Sequence, residues 1–286
     1  MRIGINTPVV TRVPGGYGEW EETAGIAELA RIAAVADDLG FHHLTCSEHV
    51  AVPTAVAEIR GGTYWDPLAT LGFLAARTQR IRLATHVLVL GYHHPLAIAK
   101  RYGTLDTVSG GRVILGLGVG SLREEFDLLD VPFEDRGARA DDALRALRAA
   151  LSRRLPRYEG RYHRFSDMVV DPPAVQAEVP LWIGGRSARS LRRACELGDG
   201  WAPFGLAFDE IRAMLARRDL PARFDVVLSA ERLDPLGDPS GTRRSIDAAV
   251  HAGATVVAAS VAATSAEHYC DQLGALAELT DPSDRS

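Results

Sequence analysis

The sequence predicts an α/β fold, a single (β/α)₈ TIM barrel with loop insertions that forms one domain over residues 1–286. Short β-rich runs alternate with helical patterns almost from end to end, which is typical of βα units around a parallel sheet. Eight such runs can be assigned. No long Ser-, Gly- or Pro-rich linker divides the chain, and barrels commonly reach about 250 residues or more as one domain.

Each predicted strand is a short apolar run followed by a helical pattern. The strands are expected at residues 2–9, 43–48, 81–89, 112–118, 180–184, 200–204, 224–229 and 255–260. The helices are expected at about 24–39, 66–78, 95–109, 139–153, 187–198, 208–218, 241–252 and 265–279. Gly40 suits a helix C-cap, and the pairs Asp66-Pro67 and His94-Pro95 suit helix starts.

Five irregular stretches lie between these elements, at 10–23, 50–65, 121–138, 154–179 and 230–240. Four of them follow the first, second, fourth and seventh strands, on the face where a barrel builds its site. The stretch 154–179 precedes the fifth strand and is expected on the opposite face, unless it folds as an insertion.

Composition excludes several classes of protein. The formal net charge is −5 and no basic stripe occurs, so no nucleic-acid partner is expected. No apolar run approaches the ~18 residues that span a bilayer, and no signal peptide is recognised, so we expect a cytoplasmic protein without a membrane partner. Cys46, Cys195 and Cys270 are expected as reduced thiols. The single lysine, Lys100, lies in a helical pattern, which argues against a Schiff-base enzyme.

Side chains at the carboxyl ends of barrel strands converge on one pocket. The second predicted strand ends in Ser47-Glu48-His49, and an imidazole beside a carboxylate can move protons near neutral pH. A purely structural Glu-His pair is the alternative. His93 and His94 suggest a metal, but no carboxylate lies at ligand spacing, so capping or surface roles are favoured and no metal is expected.

Glycines mark the ends of the fourth and fifth predicted strands. Gly116, Gly118 and Gly120 remove Cβ atoms where a planar ring would approach the backbone, although a packing bulge would use the same residues. The run lacks the third glycine of the dinucleotide-binding fingerprint. The segment Gly184-Gly185-Arg186-Ser187 leads directly into a helix, and free amides with an arginine predict a phosphate cradle.

These residues resemble the luciferase-like monooxygenase superfamily, in particular its branch that depends on the deazaflavin coenzyme F420. The resemblance covers roughly residues 2–205 in family order and spacing, and the last third matches only as a generic barrel. The matching segments include Ser47-Glu48-His49, Leu83-Ala84-Thr85-His86-Val87, Leu117-Gly118-Val119-Gly120, Glu124-Glu125-Phe126 and Trp182-Ile183-Gly184-Gly185-Arg186-Ser187.

The resemblance implies a luciferase-like barrel with a non-proline cis peptide bond at His86–Val87, behind the cofactor ring. It implies His49 as the active-site proton donor or base, and Glu48 as the residue that orients His49 or contacts the cofactor. It also implies a homodimer. The cofactor-binding residues are expected to be Ser47, Thr85, His86, Val87, Gly118, Gly120, Glu124, Gly184, Gly185, Arg186 and Ser187.

One position departs from the pattern of the superfamily's sugar-phosphate dehydrogenases. Those enzymes carry a catalytic glutamate just after the glycines of the fourth strand, where this chain has Ser121, with Glu124 three positions further on. They also hold the phosphosugar with lysines, so this substrate is not expected here. Tyr17 and Trp65, with Trp20 and Tyr64, are expected to wall an apolar or aromatic substrate, although loose surface packing explains them equally well.

Three functions remain open at this point. The first is an F420-dependent oxidoreductase that transfers a hydride between deazaflavin and a small organic substrate. The second is an FMN-dependent monooxygenase that uses dioxygen, and the third is a non-catalytic flavin- or deazaflavin-binding protein. A glycoside hydrolase needs paired acids at strand ends, and Glu124 and Glu231 fit poorly because Glu124 lies several residues past its strand.

Overall fold

The computed structural model describes residues 1–280 and contains a closed barrel of eight parallel strands, which confirms the predicted fold. Within these residues the strands are β1 (Arg2–Ile5), β2 (Thr11–Arg12), β3 (His43–Cys46), β4 (Thr63–Tyr64), β5 (Arg82–Val89), β6 (Val113–Gly118), β7 (Tyr158–Glu159), β8 (Arg164–Phe165), β9 (Leu181–Gly184), β10 (Gly200–Ala202), β11 (Asp225–Ser229) and β12 (Val256–Ala259). The order around the barrel is β1-β12-β11-β10-β9-β6-β5-β3, and β1 closes it against β3.

Helices surround the barrel and connect its strands. They are α1 (Ile26–Asp38), α2 (Thr54–Arg60), α3 (Pro67–Arg77), α4 (Pro95–Ser109), α5 (Arg123–Leu128), α6 (Arg136–Ala150), α7 (Ala188–Leu197), α8 (Phe208–Leu215), α9 (Pro239–His251) and α10 (Ala266–Thr280). Among these described residues, no helix is both long and apolar enough to cross a bilayer. Nor do residues 1–280 bring three His, Cys, Asp or Glu side chains together as a metal site.

Several predicted boundaries are wrong for identifiable reasons. The first strand ends at Ile5 instead of residue 9, because Pro8 has no amide to donate and the Val9 amide donates to the Glu21 carboxylate at 2.7 Å. The second ends at Cys46 instead of residue 48, so the Ser-Glu-His segment lies in the following loop. The predicted helix 139–153 is α6, which begins at Arg136 and ends at Ala150. The short helices α2 and α5 occupy stretches predicted as irregular.

The stretch 154–179 folds as an insertion, the alternative left open by the sequence, and it reaches both faces of the barrel. Its hairpin, β7 and β8, is tied to α6 because the His163 amide donates to Asp142 at 2.9 Å. The His163 ring contacts His94 at the start of α4, on the face of the strand carboxyl ends. Further on, the Val175 amide donates to Asp106 near the other end of α4.

The barrel interior is filled by small residues around one large one. Trp182 packs with residues of the facing strands, and this inner cluster also contains Ala84, Ile114, Ala202, Val227, Val256 and Ala258. Gly4 leaves room for the His43 ring, since a Cβ at Gly4 would lie 1.9 Å from His43 Cε1. A continuous floor of side chains therefore closes the barrel beneath its carboxyl-end mouth.

Asp37 connects α1 to the turn that precedes β5. The residue is buried, and its carboxylate accepts hydrogen bonds from the backbone amides of Gln79 at 2.6 Å, Arg80 at 2.8 Å and Ile81 at 2.5 Å. Burial acts to raise the pKa of Asp37, but these hydrogen bonds outweigh it, so the pKa lies below its ordinary value. The charged form therefore stabilises the folded state.

We expect Asp37→Asn to lower the free energy of unfolding by about 2 kcal/mol at pH 7, because a charged acceptor of buried amides is lost. Since the folded-state pKa is lowered, this contribution is present above the unfolded-chain value of about 3.9 and is lost as pH falls through the folded-state pKa. Urea unfolding of both proteins should therefore give free energies that converge below about pH 3.9. The exposed neighbour Asp38 is the matched control, and an equal loss in Asp38→Asn would contradict this account.

Candidate active site

The loops at the carboxyl end of the barrel bring an imidazole and a buried carboxylate together. His49 follows β3, and its Nδ1 lies 2.6 Å from Oε2 of Glu125 on α5. The Tyr92 hydroxyl donates to the same oxygen at 2.8 Å, and the Val50 amide donates to Oε1 at 2.7 Å. The Glu125 side chain is fully buried, so these donors replace water around its charge.

The Glu125 carboxylate influences the protonation of the groups beside it. Burial acts to raise its pKa, but hydrogen bonds from His49 and Tyr92 outweigh this effect and hold the pKa below its ordinary value. Burial and the nearby carboxylate raise the pKa of Tyr92, which therefore keeps its proton. When Nδ1 of a neutral His49 donates to Glu125, Nε2 is left as the basic nitrogen.

Glu48 has a different position from the one predicted. Its Oε1 lies 2.7 Å from Nε2 of His93, and its Oε2 accepts from the Val89 amide at 2.7 Å. Glu48 therefore does not orient His49, because Glu125 binds the imidazole while Glu48 holds the end of β5 and the turn that follows, and the other predicted role of Glu48, contact with the cofactor, stays a prediction. His93, expected as a capping or surface residue, serves as the partner of this buried acid.

Two residues of the predicted cofactor set form no hydrogen bond with His49 or with the side chain of its partner Glu125. Glu124 is exposed on α5, whereas its neighbour Glu125 is buried. Thr85 is fully buried, and its hydroxyl donates to the Gly116 carbonyl at 2.7 Å between β5 and β6. The structure therefore does not bring Glu124 or Thr85 together with His49.

The His86–Val87 peptide bond is cis, as the resemblance predicts. It coincides with a shift of register between β5 and β6, from Thr85 to Leu88. The Ser47 hydroxyl donates to the His86 carbonyl at 2.7 Å, and the Glu48 amide donates to the Val87 carbonyl at 3.2 Å. The loop after β3 thus holds this part of β5 in place.

The glycines at the ends of β6 and β9 accommodate the Val87 side chain. A Cβ at Gly118 would lie 2.7 Å from Val87 Cγ2, and a Cβ at Gly184 would lie 2.9 Å from Val87 Cγ1. Gly120 has a positive φ of 78°, and a Cβ there would lie 2.6 Å from the Phe126 ring. These contacts support the packing role of the glycines, and the approach of a planar ring to the backbone at this place stays a prediction.

The predicted phosphate cradle begins α7. Gly185 has a φ of +135°, and a Cβ there would lie 2.7 Å from Cβ of Ser190. Ser187 caps the helix, since its Oγ accepts from the Ser190 amide at 3.2 Å. Arg186 and Ser187 are exposed at this helix start. Amide dipoles and a guanidinium thus face solvent at one point, an arrangement that suits an anion.

The four aromatic residues of the first two loops have different surroundings, and one of them contacts the candidate active site. Tyr64 contacts the His49 ring edge-on, with 4.4 Å between ring centroids. The Tyr17 hydroxyl donates to Glu22 at 3.1 Å. Trp65 is half-buried and packs against the core, and Trp20 lies 6.0 Å from the Tyr269 ring. Of the four, Tyr64 is the one that reaches His49, although Tyr17 and Trp65 were the predicted substrate residues.

A cavity of about 200 Å³ opens beside His86 on the side of β1, β3 and β12. Its walls are formed by loop residues and by side chains at the ends of these strands, among them Asn6, Thr7, Thr45, Ser47 and Ser260. The cavity and the cradle at Gly184–Ser187 lie at the ends of different strands. The mouth therefore has a glycine-rich part and a part rich in polar side chains.

Comparison of the chain with known proteins identifies a family and several relatives. The family described as luciferase-like monooxygenase matches residues 1–233. An uncharacterised protein of Mycobacterium tuberculosis is 28% identical over 197 residues, which cover 68% of this chain and 66% of that protein. An F420-dependent glucose-6-phosphate dehydrogenase of Nakamurella multipartita is 32% identical over 190 residues, which cover 65% of this chain and 54% of that protein. The matches thus span less than two thirds of these relatives.

Among solved structures, monooxygenase RslO1 from Streptomyces bottropensis has the same fold. The TM-score is 0.76 at 24% sequence identity, and the superposition covers 99% of this chain and 100% of that chain. Similarity at this identity concerns the fold and not the reaction.

Proposed function

Because the chain belongs to the luciferase-like monooxygenase family, we propose that it is a coenzyme F420-dependent oxidoreductase acting on a small organic substrate. The name of the Nakamurella multipartita relative supports F420 as the cofactor. The observation that carries the proposal is the contact of 2.6 Å between His49 and the buried Glu125 at the barrel mouth. It provides a held imidazole one residue after Glu48, whose amide donates to the Val87 carbonyl, and the family places the bond His86–Val87 behind the cofactor ring.

The residues present fit such a cofactor. Gly118 and Gly184 keep Val87 packed against the strand ends, and the segment Gly185–Ser187 offers a helix start and an arginine to a phosphate. When bound, the deazaflavin would supply the hydride chemistry. His49 would hold or move the substrate's proton at Nε2, with its ring held at Nδ1 by Glu125.

Titration of the purified protein with F420 and with FMN tests the cofactor. We expect F420 to bind at least about 100-fold more tightly, a difference of about 2.7 kcal/mol. Arg186→Ala should weaken F420 binding about tenfold, because a charge-assisted hydrogen bond to the phosphate end is lost. The exposed Arg243 on α9 is the matched control. Tight FMN binding without F420 binding would replace this proposal by the FMN-dependent monooxygenase.

Glucose 6-phosphate, named for the relative, is not proposed as the substrate, because the single lysine Lys100 lies on α4 and donates to the Asp171 carbonyl. Turnover that is lost in His49→Asn with F420 binding retained would distinguish an enzyme from a non-catalytic binding protein.

Homodimerisation stays a prediction, which light scattering of the purified protein tests.

A further inference from the structure

The cavity beside His86 has a polar wall above an apolar floor. Ala84 belongs to the apolar cluster inside the barrel, and alternate residues of a strand point to the same side, so the His86 ring lies one layer above it. Three neighbouring strands contribute polar side chains at the same level, Asn6 after β1, Thr45 on β3 and Ser260 after β12. Asn6 Nδ2 donates to Ser260 Oγ at 3.2 Å, which leaves the side-chain oxygen Oδ1 of Asn6 available as an acceptor.

The His86 imidazole keeps its hydrogen-bonding capacity for a ligand. Burial lowers its pKa, and no charged or hydrogen-bonding group from residues 1–280 adds to that effect. The ring is therefore neutral and carries one donor and one acceptor nitrogen. The His86 side chain is partly exposed in the cavity wall, so a ligand there can bond to both ring nitrogens.

Tyr269 also lines the cavity, but its hydroxyl is buried and is not accessible to a ligand there. Its hydroxyl is buried beside the backbone of Val261 but completes no hydrogen bond of normal geometry with any described residue. Burial raises the pKa of Tyr269, so the hydroxyl is protonated. Thr11, which also lines the cavity, has a buried Oγ1 that finds no partner within residues 1–280.

The cavity offers no charge to a ligand. Glu21 is its one charged lining residue among those described, and the two carboxylate oxygens already accept hydrogen bonds from the amides of Val9 at 2.7 Å and Gly18 at 2.8 Å. Among residues 1–280, no arginine or lysine lines the cavity. A phosphate or carboxylate placed here would therefore lack a counter-charge.

We infer that this cavity is the substrate site and that it selects a compact, uncharged molecule with several hydroxyl or carbonyl groups, bound by His86. The inference rests on the proposed function for the reaction, but the binding preference follows from the cavity alone. A volume of about 200 Å³ matches about six or seven water molecules in the liquid, which limits the size of the molecule. The apolar or aromatic substrate expected from Tyr17 and Trp65 does not fit this lining.

Three probes test the preference, glycerol, 3-pentanol and glycerol 3-phosphate. Glycerol and 3-pentanol have the same number of non-hydrogen atoms and differ by two hydroxyls replaced with methyls. Ligand-observed NMR on the cofactor-free protein should give at least tenfold tighter binding for glycerol than for 3-pentanol, and no gain from the phosphate. Binding of 3-pentanol or glycerol 3-phosphate as tightly as glycerol would overturn the inference.

Tyr269→Phe is a control, because the hydroxyl that it removes is not accessible from the cavity. It should leave the binding of both glycerol and 3-pentanol unchanged. His86→Leu should reduce the preference for glycerol over 3-pentanol to near one, while His251→Leu, at an exposed histidine of α9, should retain it. An unchanged preference in His86→Leu would refute the assignment. Failure of F420 to bind while this preference persists would count against the proposed function alone.

Discussion

Glu125→Gln is expected to lower turnover by about 100- to 10,000-fold, the range for losing a correctly held general acid or base. The carboxylate accepts from Nδ1 of His49 and so leaves Nε2 as the basic nitrogen. A glutamine amide can instead donate to Nδ1, which favours the opposite tautomer. The F420 affinity should change by less than about threefold, because Glu125 is buried behind the imidazole.

Asp127→Asn is the matched control, since Asp127 is exposed on the same short helix and its change removes the same charge. The His49 tautomer, read from the ¹⁵N chemical shifts of the ring, should change in Glu125→Gln and not in Asp127→Asn. A purely structural role for Glu125 would lower the melting temperature without moving these shifts. Equal turnover in the two variants would show that the pair does not position the base.

The strand positions were predictable because hydrophobic runs and turn residues act locally. The eight predicted runs correspond to the eight strands of the barrel. The errors lie at the ends of strands, where tertiary contacts determine the last residue of the strand. Val9 is an example, because its amide leaves the sheet for a carboxylate that is 12 residues away in the chain. The hairpin of the insertion is another, because its position depends on the Asp142 carboxylate of α6.

The site was predictable only as far as short segments define it. The glycines and the bond His86–Val87 could be located, because motif and strand end coincide there. The partner of His49 could not, because Glu125 lies 76 residues further on and nothing in a six-residue helix distinguishes it from exposed Glu124. The fold buries Glu125 and leaves Glu124 exposed. This difference depends on how α5 packs, through contacts such as that of Phe126 with Tyr92.

Gly118→Ala is expected to weaken F420 binding at least about tenfold, which corresponds to about 1.4 kcal/mol. The new Cβ would lie 2.7 Å from Val87 Cγ2, and overpacking of this kind typically costs about 1–3 kcal/mol. Val87 has to move, and the opposite side is occupied because a Cγ1 atom already lies close to Gly184. Isothermal titration of both proteins with F420 measures the effect, and Gly72→Ala on α3, where a Cβ meets nothing within 4 Å, is the control.

The double variant Gly118→Ala/Val87→Ala identifies the cause of that loss. If the alanine acts by displacing Val87, removing the two methyls should return F420 affinity to within about threefold of Val87→Ala alone, giving a coupling energy of about 1 kcal/mol or more. If the alanine acts by directly blocking the cofactor, the losses should add and the double variant should bind more weakly than either single variant. Additive losses would therefore contradict the view that Gly118 serves the site by accommodating Val87, and would instead assign its Cα to direct contact with the cofactor.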